Sequence, residues 1–394
     1  MIPTNDLDHI LGGANNAETG PQNASNTISS VTAMSWVDGA VLAVLQRTDV
    51  LTGGVTSELA RLDPKGHRRA SLMLNAAPDT TDQAIAYALV GQNGPCLLHL
   101  SGADLLALTP EAAPLTGIIN GLGLSRVDLL AQSTDWCAVY GATSGGTPVL
   151  YGTSGATPVE LPLDALALSD TRQLNNIQII GDTLYAAVID PIAGFDVYHC
   201  TLGNGSAAFE LALTKGARRF AINAAVSGMM PCEQGLLIGT AALANPSHPV
   251  GDWGPELLLI PQSGSWDLIA GQPRFSPEGL LLPASSQMPG MGQNGNAAIR
   301  GMARHGTSVI IAVQEFSGSS HEDRRTIALD LSDYSGAVRL YLSSDLEDWK
   351  QIPHRLPSDI GAVTSLCMTQ DSIFVGHEGL GPDVVPVHVV ALGD

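Results

Sequence analysis

Two stretches of this 394-residue chain, some 270 residues apart, carry the same succession of pieces. The first reads Asp8-His9-Ile10-Leu11-Gly12-Gly13, an Asn/Pro/Gly-rich spacer, Asn26-Thr27-Ile28-Ser29-Ser30, then Asp38-Gly39-Ala40-Val41-Leu42-Ala43-Val44. The second reads Trp266-Asp267-Leu268-Ile269-Ala270-Gly271, a longer spacer, Asn296-Ala297-Ala298-Ile299-Arg300-Gly301-Met302, then His305-Gly306-Thr307-Ser308-Val309-Ile310-Ile311-Ala312-Val313. Apolar strand-like pieces that recur every ~40–55 residues bury their faces only by stacking on one another. The pattern predicts an all-β chain, a single β-propeller domain over 1–394. The first copy starts with the end of a unit, so residues 1–11 are expected to complete the C-terminal blade, with 6–11 as its fourth strand. Closure of that kind adds main-chain hydrogen bonds across the seam and removes an exposed edge.

Each blade calls for four antiparallel strands, A to D. Apolar runs place them at 28–34, 40–45, 57–63 and 69–74; at 126–131, 136–142, 148–153 and 158–163; at 176–180, 183–189, 196–202 and 208–214; and at 221–229, 235–241, 256–261 and 265–270. A further set falls at 298–303, 308–314, 325–331 and 349–353, and the last at 363–368, 372–377 and 385–392. Between the first two sets, 76–116 holds runs at 84–90, 96–101 and 104–109, and a fourth strand must be borrowed from around 70–75. Counting this stretch as a blade gives seven; absorbing it gives six. Seven is the reading adopted.

Acidic residues outnumber basic ones 38 to 18, a net charge of −20, with only three lysines. That field repels phosphate backbones and argues against nucleic-acid binding. It also keeps an apolar-rich protein soluble. No apolar run approaches the ~20 residues that span a bilayer. The N-terminus lacks a basic segment followed by an apolar one, so no signal peptide is read and a cytoplasmic address is expected. Cys96, Cys137, Cys200, Cys232 and Cys367 are odd in number, scattered and without a CxxC pair, as buried thiols would be.

Tyr341-Leu342-Ser343-Ser344-Asp345-Leu346-Glu347-Asp348-Trp349-Lys350 resembles a degenerate Asp-box of the sialidase-like BNR repeats, Ser-x-Asp-x-Gly-x-Thr-Trp. Ser343, Asp345 and Trp349 match, while Glu347 stands for the Gly and Asp348 for the Thr. The resemblance covers two or three blades of a bacterial β-propeller. It implies a hairpin brace on the blade periphery, which bears on fold and not on catalysis. The arginine cluster, tyrosine nucleophile and acid that sialidase activity requires are not found in the sequence.

The predicted A-to-B turns are short (Gly181-Asp182, Gly306-Thr307, Gln370-Asp371), whereas the B-to-C and D-to-A links are long: 12–27, 46–56, 242–255, 271–297, 315–324 and 377–384. All elaboration then lies on one face, around the channel mouth, where binding or catalysis concentrates. The polar residues expected there are Asn26, Asn176, Asn223, Asn296 and Arg300 at A-strand starts, and Arg47, Asp190, Gln314, Glu315, His377 and Glu378 at B-strand ends. His248, Asp252, Trp253, His321, Glu322 and Asp323 lie in the loops. Arg300, rooted among apolar neighbours, suits a bidentate clamp on an anion or a structural bond to strand carbonyls.

His377-Glu378 and His321-Glu322-Asp323 offer acid/base groups but lack a metal-binding spacing. Met288 and Met291 read as a packed loop tip. Gly290-Met291-Gly292-Gln293-Asn294-Gly295 follows no strand of a βαβ unit and is no dinucleotide site, and no serine-hydrolase elbow is present. No cofactor is indicated.

Two functions fit. One is a module binding a small molecule or protein at the channel face, with Asn26, Asn176, Asn296, His248, Trp253 and His321 as contacts. The other is a hydrolase or lyase at the channel mouth, with Arg300 as anchor and Glu315, His377 and Glu378 as acid/base groups. The lack of a strong catalytic motif favours binding.

Overall fold

The computed structural model describes residues 27–49, 51–52, 54–74, 86–91, 94–101, 104–154, 157–203, 208–242, 254–262, 265–276, 279–293, 295–315, 336–356, 360–369, 371–379 and 384–388. The expected closing strand at 6–11, the strand at 325–331, Asn26, His248, Asp252, Trp253, His321, Glu322 and Asp323 lie outside them. Two units emerge, one of 1–149, 155–158 and 355–394, the other of 150–154 and 159–354. Both are all-β, built from antiparallel meanders.

In the first unit, Thr27–Val37 (β1) turns at Asp38-Gly39 into Ala40–Asp49 (β2), followed by Val55–Leu62 (β3) and Arg68–Leu74 (β4). Both turn residues have positive φ, 48° and 76°, the pair of values a two-residue hairpin that follows the strand twist requires.

The next sheet holds Ala86–Gly91 (β5), Gly94–Ser101 (β6) and Asp104–Ala107 (β7). It borrows nothing from 70–75, because that stretch is used up by β4. Its fourth place is taken by a helix, Ala113–Asn120 (α1). Pro110 and Pro114 lack the N–H a ladder needs but suit helical first turns. Asn120 does the work of the missing strand at one rung: Leu105 N donates to its Oδ1 at 2.8 Å, and its Nδ2 donates to Leu105 O at 3.0 Å. Arg126–Gln132 (β8) and Cys137–Ala142 (β9) then form a hairpin.

The division between units falls within Pro148–Thr153 (β10), whose residues Tyr151 and Gly152 pair with Val159–Glu160 (β11). The second unit continues as two complete meanders. One is Gln173–Ile180 (β12), Thr183–Ile189 (β13), Asp196–Thr201 (β14) and Glu210–Leu213 (β15). The other is Asn223–Cys232 (β16), Gly235–Ala242 (β17), Leu257–Pro261 (β18) and Asp267–Ala270 (β19). The link after β19, read from sequence as a bare loop, contains a hairpin of Arg274–Ser276 (β20) and Gly279–Leu281 (β21).

Asn296–His305 (β22), Ser308–Glu315 (β23), Val338–Ser343 (β24) and Lys350–Ile352 (β25) form the next meander. The strand against β23 is therefore 338–343. Back in the first unit, Val363–Met368 (β26), Ser372–Gly379 (β27) and Val384–His388 (β28) form a sheet joined to β1 where Ser29 and Ser30 face Gly379 and Glu378.

The segment likened to an Asp-box is the β24–β25 turn. Asp345 Oδ1 accepts from the N–H groups of Glu347 and Asp348 at 2.9 and 2.8 Å, Leu346 N donates to Ser343 Oγ at 2.9 Å, and Trp349 Nε1 donates to Leu346 O at 2.9 Å. These N–H groups hold the Asp345 carboxyl below the usual carboxylate range, Asp348 contributing most. The turn is internally hydrogen-bonded, and its spacing departs from the repeat. Three residues separate Asp345 from Trp349, where the repeat has four, and the positive φ (69°) falls on Leu346.

One irregularity recurs in the opening strands. β1, β8, β12, β16, β22 and β26 each carry a β-bulge, whose extra residues include Thr32, Asp128, Asn175, Ser227, Arg300 and Thr364. Each of these follows an aliphatic residue: Val31, Val127, Leu174, Val226, Ile299 or Val363. A bulge leaves main-chain groups without a ladder partner. Neighbouring opening strands supply one. Tyr87 Oη donates to Val127 O at 3.1 Å, Asn175 Nδ2 to Val226 O at 2.7 Å, and Ser227 Oγ to Ile299 O at 2.7 Å. At the bulge, Ile299 takes the place that Val31 has in β1.

Candidate functional site

The bulge fixes a row of residues across each sheet. Val31 faces Leu45, which faces Glu58; Leu174 faces Val188, which faces Asp196; Ile299 faces Val313, which faces Arg339. In the β16–β19 meander Val226 faces Thr240, whose N–H donates to Glu256 O at 3.0 Å. The row thus ends on a charged residue in each of these four meanders. Facing residues share one side of a sheet, so each charge sits at the end of an apolar row and needs a partner.

Each charge has a partner from its own sheet or the links beside it. Glu58 holds Arg68 at 2.6 Å and Arg47 at 3.4 Å. Asp196 and Asp190 share Arg172, at 3.1 and 2.7 Å, and Asp196 also accepts from Thr214 Oγ1 and Lys215 N. Burial pushes the Asp190 carboxyl up, but the N–H of Ala193, the Arg172 guanidinium and the N–H of Ile192 outweigh it and hold it below the usual range. Arg339 pairs with Glu315 at 2.7 Å and donates to Asn296 Oδ1.

The Glu256 cluster is the most elaborate. Its carboxylate is wholly buried and accepts from Arg274 through both oxygens at 2.8 Å, from Asn223 Nδ2 at 2.8 Å and from Gln272 N at 2.8 Å, with Arg219 at 3.5 Å. A glycine makes such packing possible: a Cβ on Gly271 would lie 2.4 Å from Glu256 Oε1.

Among the sequence-predicted residues, Arg300 is a half-buried bulge residue, in the position of Asn175 and Ser227. Asn223 and Asn296 open strands as expected, but their amides are used locally, donating to Gly216 O at 3.0 Å and to Gly290 O at 2.7 Å. Asn176 is half-buried in β12, and its neighbour Asn175 makes the inter-sheet bond. Gln314 is buried and donates to Gly336 O at 3.0 Å.

His377 is 1 % exposed and fills the row position held elsewhere by Leu45, Val188, Thr240 and Val313. Its ring Nδ1 lies 3.2 Å from Glu378 O. Successive strand residues point to opposite faces, so the His377 and Glu378 side chains do not meet. Met291 packs into the core beside Leu257 and Trp349, while Met288 is exposed. All five cysteines are free and buried, with burial pushing Cys96 and Cys367 up to about 11 and Cys137 and Cys200 up to about 12. Among the described residues no group of three or more His, Cys, Asp or Glu is disposed to hold a metal ion, and no helix is long and apolar enough to cross a membrane.

Sequence reasoning missed Glu256, Arg172, Arg274, Arg219 and Arg339. The signal for the acids was present as Gly194-Phe195-Asp196 and Gly254-Pro255-Glu256, a Gly two residues before the charge. Chemically, the carboxylates of these clusters are all ion-paired; among the described residues none of the clusters presents an unengaged acid beside an unengaged base.

No protein-family model and no curated protein matches the chain. Solved structures similar to it include the Pyrococcus horikoshii acylaminoacyl peptidase (8 % identity, TM-score 0.47, 88 % of this chain and 49 % of that one). Others are the β-propeller domain of the Trilobed protease from Pyrococcus furiosus (9 %, 0.40, 90 % and 96 %) and a Trypanosoma rangeli sialidase in complex with sialic acid (10 %, 0.40, 92 % and 54 %). The chain spans about half the length of the peptidase and of the sialidase. Likeness at this level carries no assignment of activity.

Proposed function

We propose that the chain is a single seven-bladed β-propeller, completed by its N-terminal residues, that binds a ligand or partner protein on the edge bearing its long connections. The architectural part is supported by seven opening strands, β1, β5, β8, β12, β16, β22 and β26, each heading its own meander or hairpin. The functional part rests on one observation: the charged groups at that edge are used in pairs within their own unit, as Glu315 with Arg339 and Asp190 with Arg172. General acid–base chemistry needs a group within reach of substrate and poised to exchange a proton. Structural pairs of this kind instead hold loops in place for recognition.

The test combines native mass spectrometry of the purified protein with a panel of chromogenic esters, peptide amides and glycosides. A retained ligand or companion chain and no turnover is the expected result. Turnover that disappears in Arg300→Ala or Glu315→Ala, with an unchanged circular dichroism spectrum, would replace binding by hydrolysis.

A further inference from the structure

The link between β15 and β16 winds left-handed through residues that resist it. Lys215, Ala217, Arg218 and Phe220 have φ of 53°, 53°, 66° and 53°, with Gly216 among them at 56°. Nine non-glycine residues have positive φ among the described residues, and four of them fall within 215–220. A left-handed backbone brings Cβ against the following carbonyl oxygen, so each of the four is strained where glycine would not be.

The architecture does not require that strain. The link before β22 makes a corresponding bend at Gly290, Met291 and Gly292, with φ of 67°, 58° and 71°, and two of its three residues are glycine. Both bends are clasped alike. Gly216 N donates to Phe195 O and Gly290 N to Pro255 O, each at 2.8 Å. The asparagine that opens the following strand closes each clasp, Asn223 Nδ2 donating to Gly216 O at 3.0 Å and Asn296 Nδ2 to Gly290 O at 2.7 Å.

Strained backbone persists only where its surroundings over-determine it, and the 214–222 link has further holds. Asp196 Oδ1 accepts from Thr214 Oγ1 at 2.7 Å and from Lys215 N at 2.9 Å. Arg219 donates to Gly254 O at 3.0 Å and stands 3.5 Å from Glu256. Ala217 shares a buried apolar cluster with Phe195 and Leu213. Phe220 O sits where a Cβ on Gly194 would be only 2.4 Å away. The side chains of Lys215, Arg218 and Phe220 are exposed and hold nothing shut.

We infer that 214–222 is a strain-loaded strap, held closed by Asp196, Asn223 and Glu256, that opens as a unit while the strands on either side stay paired. Opening takes Arg219 off Glu256 and the Thr214 and Lys215 donors off Asp196. Neither acid is then left without a cation, because Glu256 keeps Arg274 through both oxygens and Asp196 keeps Arg172. Release therefore costs the strap its own contacts and relieves its backbone, without stranding a charge in the sheets.

Hydrogen exchange of the full chain, read by mass spectrometry after pepsin digestion, tests this. Peptides covering 214–222 should exchange about tenfold or more faster than those of β14, β16 and the Pro289–Gly292 bend. Arg218→Gly and Phe220→Gly change exposed side chains at left-handed positions. Both should slow strap exchange about threefold, whereas glycine placed in an unstrained loop speeds it. Thr214→Val removes one hold at little change in volume and should speed strap exchange about threefold or more. A strap that exchanges no faster than β14 and β16, glycine variants that leave its exchange unchanged or speed it, or a Thr214→Val chain that behaves as wild type overturns the inference. The binding role proposed above stands or falls separately, on retained ligand and turnover.

Discussion

Asn175 donates through Nδ2 to the carbonyl of Val226 at 2.7 Å, tying the opening strand of one sheet to the bulge in the opening strand of the next. Ser227, the residue after Val226, repeats the move one meander further on, to Ile299 O. Removing either donor leaves a bulge carbonyl without a partner. Asn175→Ala and Ser227→Ala should each lower the unfolding free energy by about 1–2 kcal/mol. Urea denaturation reads this as a shift in midpoint, and an unchanged midpoint in both variants would mean the ties contribute nothing.

Glu256 collects two arginines and an asparagine in a buried site. Glu256→Gln leaves those cations without their counter-charge and should cost about 3–5 kcal/mol, the range for breaking a buried pair from one side. Arg274→Ala is milder globally and local in consequence, because Arg274 roots the β20–β21 hairpin. Limited chymotrypsin digestion should then cut at Phe275 while the rest of the chain resists, and a digestion pattern identical to wild type would count against the anchor.

The substitution Asn120→Ala removes the amide that closes β7 at Leu105. Hydrogen exchange at the Leu105 amide should speed up by roughly tenfold or more, with little change in the β1–β4 sheet, since that bond protects one rung and not the global fold. Mass spectrometry after pepsin digestion resolves the two regions.

Much of the fold was legible because strand pairs with Gly or Asp-Gly turns signal themselves locally. β1–β4, β12–β15 and β16–β19 fall close to their predicted spans. What misled was contact across the sequence. The helix α1 is marked by Pro110 and Pro114 and by buried Leu115 and Ile119 four residues apart, a signal too short to stand out, and its plugging role depends on an amide reaching back fifteen residues. The strand facing β23 was misplaced because 325–331 and 338–343 are equally apolar. The polar candidates were taken as open to solvent, yet which charge pairs with which depends on a row that only the bulges define. Asn175 and Asn176 look alike in sequence, and the extra residue in the ladder decides which of them reaches Val226.

Burial holds both His99 and His354 below the ordinary imidazole value, His354 despite the hydrogen bond with Val338 O. A depressed histidine pKa means the unfolded chain takes up protons first. The stability these residues contribute is therefore complete above about pH 6.5 and is lost as pH falls through their folded values. Asp190 and Asp345 are depressed as well, but from the carboxylate range, so their contribution fades only at distinctly lower pH. Denaturation curves between pH 7 and 5 should show falling stability, with a smaller slope in His99→Leu, which keeps the buried volume and removes the titrating ring. An identical slope would clear His99 of any part in it.

The receiving atom in each of these three ties between opening strands is a main-chain oxygen, while the giving group changes from phenol to amide to hydroxyl. An ancestral unit copied along a gene could thus shed nearly all residue identity and keep its joinery, needing only some polar group within reach of an oxygen whose presence no codon change removes. Kin of this chain are better sought by the spacing of an aliphatic residue followed by a polar one, ahead of a turn, than by any conserved letter.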